Sequence, residues 1–259
     1  MSRFTLTTVL AFAVLTVTSL SLGAPTRDWA VVVVWAVYLT VCGLGMMSIR
    51  MQFFGPAVCH GLAGEMRVAL TFDDGPDPNA TPKLLDLLNS EKIPATFFCI
   101  GKNVEAHPQI AARIVAEGHL LENHTYRHPW WISCLFGRRL SDEMTRAQQA
   151  IQKAAGITPR YMRSPAGLTN PFFPRILRRL GLTLVGWDVR TFDTAGSVQK
   201  AIDRISRHAR DGSIILLHDG GSSQERIVEI VSAAIKDLRS RGFGFERLDR
   251  LIDQQPDKS

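Results

Sequence analysis

From Phe4 to Ser48 the chain is almost unbroken apolar sequence, and Arg27 and Asp28 are the only charged residues in it. At about 1.5 Å per residue, Phe4–Ala24 and Trp29–Met47 are each long enough to cross a hydrocarbon layer of about 30 Å. Pro25-Thr-Arg-Asp28 leaves room only for a tight turn, so 1–48 reads as a transmembrane helical hairpin. Neither run has the polar face of a helix lying on a soluble core. Arg3 before an apolar run and Ser21-Leu-Gly23 also resemble a cleaved signal peptide. The second run would then stop transfer and leave the remainder inside.

After a connector at 49–65 the pattern becomes an alternation of short apolar runs and amphipathic stretches. Strands are predicted at Arg67–Asp73, Ala95–Ile100, His119–Leu121, Arg160–Ser164, Thr183–Val189, Ser213–His218 and Gly244–Leu248. Apolar residues at helical spacing predict helices at Thr81–Glu91, Asn103–Ala116, Arg138–Ala155, Phe172–Leu180, Val198–Arg210 and Gln224–Arg241. This alternation predicts an α/β domain over 66–253, with parallel strands and helices outside them, open or closed into a barrel. Gln254–Ser259 reads as a frayed tail.

Charge refines the picture. From Met66 onward 27 Lys and Arg face 22 Asp and Glu, so the domain carries most of the chain's +6. That excess suits anionic lipid headgroups or an anionic substrate. The Arg residues are scattered, which points away from nucleic acid. Arg3 and Arg50 flank the hairpin while its turn is neutral, placing both ends and the domain in the cytoplasm; an extracytoplasmic domain is the alternative. Cys42, Cys59, Cys99 and Cys134 form no CxxC pair and suggest no disulfide framework. Oligomeric state is not legible.

Candidate chemistry collects at the predicted strand ends. Asp73 and Asp74, Arg163, Asp188 and His218 all fall at C-terminal ends, the face on which parallel β/α folds assemble their sites. His124 and His128 stand four apart, so on a turn of helix their imidazoles would share one side. With a carboxylate they compose a two-histidine, one-carboxylate metal set that leaves positions open for water and substrate. His107, His119 and His60 lack matching partners. Trp130 and Trp131 suit either a sugar platform or a membrane-interface anchor.

TFDDGP (71–76), HTYRH (124–128), RSPAG (163–167), WDVRTFD (187–193) and ILLHD (215–219) occur in that order, with Ala95-Thr-Phe-Phe98 and Gly101 between the first two. Over about Val68–Leu251 the chain resembles the polysaccharide deacetylases with a NodB homology domain, carbohydrate esterase family 4. The resemblance implies a distorted (β/α) barrel of about seven parallel strands and hydrolysis of an N-acetyl group from an amino sugar. It also implies one divalent metal (Zn, with Co, Ni or Mn as alternatives) on Asp74, His124 and His128. Asp73 would then be the base, held by Arg163, and His218 the general acid, oriented by Asp193. Ala166 would offer a backbone N–H to the oxyanion, with Pro165 and Gly167 beside it in the substrate site. Trp187 and Leu216 would wall a small acyl pocket.

Ala166 replaces an aromatic residue of the family pattern, Ser164 a proline, Arg190 an acid and Thr194 a tryptophan, so the sugar groove is altered while the acid–base and metal sets are kept. With the hairpin and the basic domain, this favours a small or lipid-linked N-acetylated sugar at the membrane over chitin or peptidoglycan strands. Competing readings are an extracytoplasmic chitooligosaccharide or peptidoglycan deacetylase, a deformylase of a lipid-linked sugar, and an inactive membrane-bound scaffold.

Overall fold

In a computed structural model, residues 1–221 and 223–252 are described; the expected tail at Gln254–Ser259 lies outside them. Two antiparallel apolar helices come first, α1 (Arg3–Ser21) and α2 (Thr26–Met47). No residue of α1 is buried and only Gly45 of α2 is, so nearly all their apolar surface faces outward. Their mean hydropathies, 1.8 and 2.2, and their lengths suffice for a membrane crossing.

The hairpin is fastened to the following chain at its base. The Phe4 N–H donates to the Phe53 carbonyl at 2.9 Å, and Arg3 Nη1 to the Met51 carbonyl at 2.8 Å. Gly45 is required where Phe53 crosses, since a Cβ there would lie 2.3 Å from the ring.

The rest of the chain builds a parallel sheet with helices outside it. Its elements are β1 (Arg67–Asp73), α3 (Ala80–Ser90), β2 (Thr96–Cys99), α4 (Gly101–Ala106), α5 (Pro108–Ala116), β3 (Leu120–Asn123) and α6 (Gly137–Ala155). There follow β4 (Tyr161–Met162), α7 (Phe173–Leu180), β5 (Thr183–Leu184), β6 (Val189–Arg190), α8 (Val198–His208), β7 (Ile214–His218), α9 (Gln224–Ser240), β8 (Gly244–Phe245) and α10 (Leu248–Ile252). The order is β5-β4-β3-β2-β1-β7-β6, with β8 also on β1.

Several boundaries differ from the pattern-based expectation. The helix expected over Asn103–Ala116 breaks at His107, because Pro108 has no N–H to continue it and instead starts α5. The strand expected at Thr183–Val189 divides. Its start pairs with β4 at one edge of the sheet, and Val189–Arg190 pairs with β7 at the other. Five residues can span about 17 Å at most, so the sheet must curl until its edges nearly meet, which gives the distorted barrel. The expected closing strand Gly244–Leu248 shortens to β8 and turns into α10.

Period-two alternation sorts the strand residues between two cores. Val68, Leu70 and Phe72 of β1 pack outward with Phe97 and Cys99 of β2 and Ile215 and Leu217 of β7, beneath the helices. Ala69, Phe98, Ile214 and Leu216 pack with Trp187 and Tyr161 in a second, interior core. The same alternation turns Asp73 and His218 toward the interior.

Candidate active site

Register then places the first two groups side by side. β1 and β7 are parallel neighbours with Asp73 opposite His218, and the Asp73 carbonyl accepts from the Asp219 N–H at 3.2 Å. Arg163, just past β4, is fully buried and reaches across the interior to Asp73. Its Nη1 donates to Asp73 Oδ1 and to Thr71 Oγ1, each at 2.8 Å, and Nη2 to the Gly186 carbonyl at 2.9 Å. The guanidinium lies 4.2 Å over the Phe98 ring. Burial lowers the Arg163 pKa, and the Asp73 charge works against that. Arg163→Met leaves a buried carboxylate unpaired and should cost about 3–5 kcal/mol of stability. A thermal unfolding midpoint in detergent equal to wild type would contradict it.

Asp74 lies beyond the strand in the left-handed region, φ 73°. Its Oδ1 is 3.3 Å from His124 Nε2 and 3.3 Å from His128 Nε2, yet it is buried without a hydrogen-bond partner. The two histidines are not on a helical turn, contrary to the spacing argument. They occupy a loop after β3 in which Thr125 (φ 64°) and His128 (φ 55°) take positive φ, and that fold brings the rings to 4.8 Å. Asn123 Oδ1 accepts from the Thr125 N–H at 2.8 Å, and Glu143 Oε2 accepts from the Tyr126 and Arg127 N–H groups, all of which hold the loop.

Asp74, His124 and His128 offer three ligand atoms within 4.8 Å of one another. His124 Nδ1 donates to the Arg163 carbonyl at 2.8 Å, which leaves its Nε2 lone pair for a ligand. The unpartnered Oδ1 and that fixed tautomer fit a divalent cation. Electrostatics agree. Burial would raise Asp74, but His124, His128 and His218 outweigh it and hold its carboxyl down at about 2. Burial pulls His124 down, but Asp73 and Asp74 raise it overall. Burial and the His124 charge lower His128, keeping it neutral. The cluster favours positive charge at its centre.

Across from it, His218 Nδ1 donates to Asp193 Oδ1 at 2.9 Å, and the His218 N–H donates to Asp193 Oδ2 at 2.7 Å. Burial opposes the charged imidazole, yet Asp193 in contact, with Asp73 and Asp74, pushes it up to about 9. It therefore holds a proton at neutral pH.

Ala166 sits at φ 51°, exposed between the buried Pro165 and Gly167, and its N–H makes no backbone hydrogen bond among the described residues. Gly167 accepts no side chain, since a Cβ would meet the Trp187 ring at 2.8 Å. Trp187 and Leu216 are both buried in the interior core.

Asp188 does not join them. It precedes β6 and accepts from the Ile214 N–H (2.8 Å) and Ser213 Oγ (2.9 Å), at the opposite end of β7 from His218. Of the five residues expected to converge, on four strand ends, four remain, from three strand ends. His60, expected to lack a partner, has one there: its Nδ1 lies 2.9 Å from Asp188 Oδ2.

Sequence reasoning missed a supporting set. Thr81 Oγ1 donates to the buried Asp219 carboxylate at 2.5 Å, Asn103 Nδ2 to the Asp74 carbonyl at 2.9 Å, and Arg226 Nε to the Asp193 carbonyl at 2.5 Å. Burial raises Asp219 to about 7, with Asp74 and Asp73 adding to it. Gly220 is needed where it passes Asp74, whose carbonyl oxygen a Cβ would meet at 2.5 Å. Asp219 adjoins His218 in its motif, which was a usable signal; Thr81 and Arg226 carry none.

Comparison with known proteins points the same way. A family model described as polysaccharide deacetylase matches residues 61–185. A chitooligosaccharide deacetylase of Bradyrhizobium sp. is 36% identical over 203 residues, covering 73% of this chain and 92% of that one. A peptidoglycan-N-acetylglucosamine deacetylase of Bacillus cereus is 32% identical over 192 residues, covering 73% and 89%. A solved peptidoglycan N-acetylglucosamine deacetylase superposes with a TM-score of 0.70 at 30% identity, covering 76% of this chain and 92% of its own.

Proposed function

This chain belongs to the polysaccharide deacetylase family and is a carbohydrate deacetylase acting on N-acetyl amide bonds; from that premise we propose that it works on a small or lipid-linked amino sugar at the membrane, through one divalent metal held by Asp74, His124 and His128. The observation that carries the metal is the unpartnered Asp74 Oδ1 between two imidazole nitrogens. A divalent ion bound there supplies Lewis acidity, polarising water and the amide carbonyl. Zn suits the ligand set, as do Co, Ni and Mn.

The protein groups divide the remaining work. Asp73, its Oδ1 pinned by Arg163, keeps Oδ2 free to take the proton of attacking water. The Ala166 N–H, without a backbone partner, would donate to the developing oxyanion. His218 protonates the amine, which otherwise leaves poorly, and Asp193 fixes its ring and keeps it charged. Trp187, Leu216, Pro165 and Gly167 bound the acyl side and exclude bulkier chains.

The contact between hairpin and site supports the membrane part of the reading. The Thr169 N–H donates to the Met46 carbonyl at 3.1 Å, three residues from Ala166. We place the domain on the cytoplasmic side, because Arg3 and Arg50 flank a hairpin whose turn is neutral. Mass spectrometry of lipid-linked sugars from cells with and without the gene should show one acetyl group more in its absence. An unchanged profile would refute the substrate, formate as product would reassign it as a deformylase, and a reporter after Ser259 that behaves as extracytoplasmic would refute the side. A second reading, extracytoplasmic action on soluble glycans, is favoured by what the relatives are named for; it predicts acetate release from chitooligosaccharides or peptidoglycan fragments.

A further inference from the structure

We propose that the rim of the active site is itself a membrane-binding surface, with Trp130, Trp131, Phe136 and Phe172 lodged in the interfacial layer of the leaflet that holds the hairpin base. Trp130 is 76% exposed, Trp131 47%, Phe136 67% and Phe172 49%, although buried positions are what large aromatics usually take. They form two ring pairs, Trp130 with Trp131 at 5.3 Å and Phe136 with Phe172 at 5.9 Å, linked along the chain by residues 132–135. Contiguous exposed apolar surface of this kind marks a partner, and aromatic side chains favour the boundary between headgroups and acyl chains.

The bilayer is the occupant because the patch is continuous with the hairpin. Asn170 Nδ2 donates to the Ser133 and Leu135 carbonyls, at 3.1 and 2.6 Å, clasping the aromatic loop. The neighbouring Thr169 N–H bonds the Met46 carbonyl in the last turn of α2, where Met47 is 71% exposed. One short stretch, 168–172, therefore carries Phe172 and touches both the membrane helix and the aromatic loop. Arg127, Arg138 and Arg139 are exposed on the same loop and the first turn of α6, suiting anionic headgroups. Trp130 follows the metal-ligand candidate His128 by two residues, so a lodged rim opens the site toward the membrane plane. Substrates would then be amphiphiles whose N-acyl sugar lies among the headgroups, and long hydrated polymers would be poor ones. This rests on the hairpin spanning the bilayer.

The test uses the full chain in phosphatidylcholine vesicles containing phosphatidylglycerol. A nitroxide is placed on Cys134, which is exposed between Trp131 and Phe136, with Cys42→Ala and Cys59→Ala to direct the label. A control label sits at Ser240→Cys, with Cys134→Ser added, at the far end of α9. At 134 oxygen should relax the spin more than an aqueous nickel chelate does, and at 240 the order should reverse. An aqueous signature at both positions overturns the proposal. Alkaline carbonate extraction separates the failures: release of the chain sinks the hairpin reading, whereas an aqueous label at 134 in an extraction-resistant chain sinks this one alone. Phe136→Ser with Phe172→Ser should lower kcat/KM about tenfold on a vesicle-borne N-acetylated glycolipid, with turnover of a soluble N-acetylglucosamine oligomer unchanged. Equal losses on both substrates, or none on the glycolipid, count against a membrane role.

Discussion

Asp73→Asn is expected to keep a bound divalent ion and to lose turnover by about 10²- to 10⁴-fold, the range for a general base, while His124→Ala loses both ion and activity. The division follows from geometry. Asp73 Oδ1 is engaged by Arg163, and its Oδ2 is 3.8 Å from His124 Nε2, whereas Asp74 Oδ1 is 3.3 Å from both imidazoles. Amidation at 73 preserves shape and an acceptor for Arg163, and removes only the capacity to take a proton. Deleting the ring at 124 removes one of three donors and also frees the Arg163 carbonyl, so the loop loses an anchor. Metal content by mass spectrometry, read beside initial rates, checks this. Equal metal loss in the two variants would refute the assignment of Asp74, not Asp73, as ligand.

Asp193→Asn is expected to move the alkaline limb of kcat/KM toward acid, with His218→Ala losing about 10²- to 10⁴-fold in kcat. The His218 pKa stands near 9, so its protonated form is present below that value and lost as pH rises through it. Burial alone would push the ring below the ordinary 6.5, and the carboxylate in contact reverses that. Removing that charge leaves burial opposed only by the more distant Asp73 and Asp74, so the proton is lost at lower pH. An acid limb, by contrast, should stay in place, because Asp193 does not touch Asp73 or Asp74. A pH–rate profile of Asp193→Asn superimposable on wild type after scaling would show that Asp193 acts only as scaffold.

Much of this site was legible because its members are local to strand ends. Asp73-Asp74 follows an apolar alternation, and His218 ends another, so both faces and ends were readable from period two. The histidine pair was found by residue type and spacing, but its geometry was misjudged. Four-residue spacing suggested a helical face, and positive φ at Thr125 and His128 achieves the convergence instead. Asp188 was placed on the wrong end because the stretch Thr183–Val189 looks like one strand and is two, split between opposite edges of the sheet. Thr81, Asn103 and Arg226 were invisible, since a hydroxyl, an amide and a guanidinium on helices announce nothing until their partners are beside them.

The chain's residues by themselves determined the inventory: two apolar helices, alternating strands and helices, and the carboxylates, imidazoles and guanidinium in motif order. What only the folded molecule decided is adjacency. The pairing of Asp73 with His218 depends on the register of strands about 145 residues apart, and the Arg163–Asp73 bond joins positions 90 apart. Both are set by how the inner and outer cores pack. The seating of α2 against Thr169, which brings the base of the helical hairpin to the site, is likewise a long-range hydrogen bond. Local pattern encodes which face a side chain takes; the partner it meets is fixed by packing between segments that are distant in the chain.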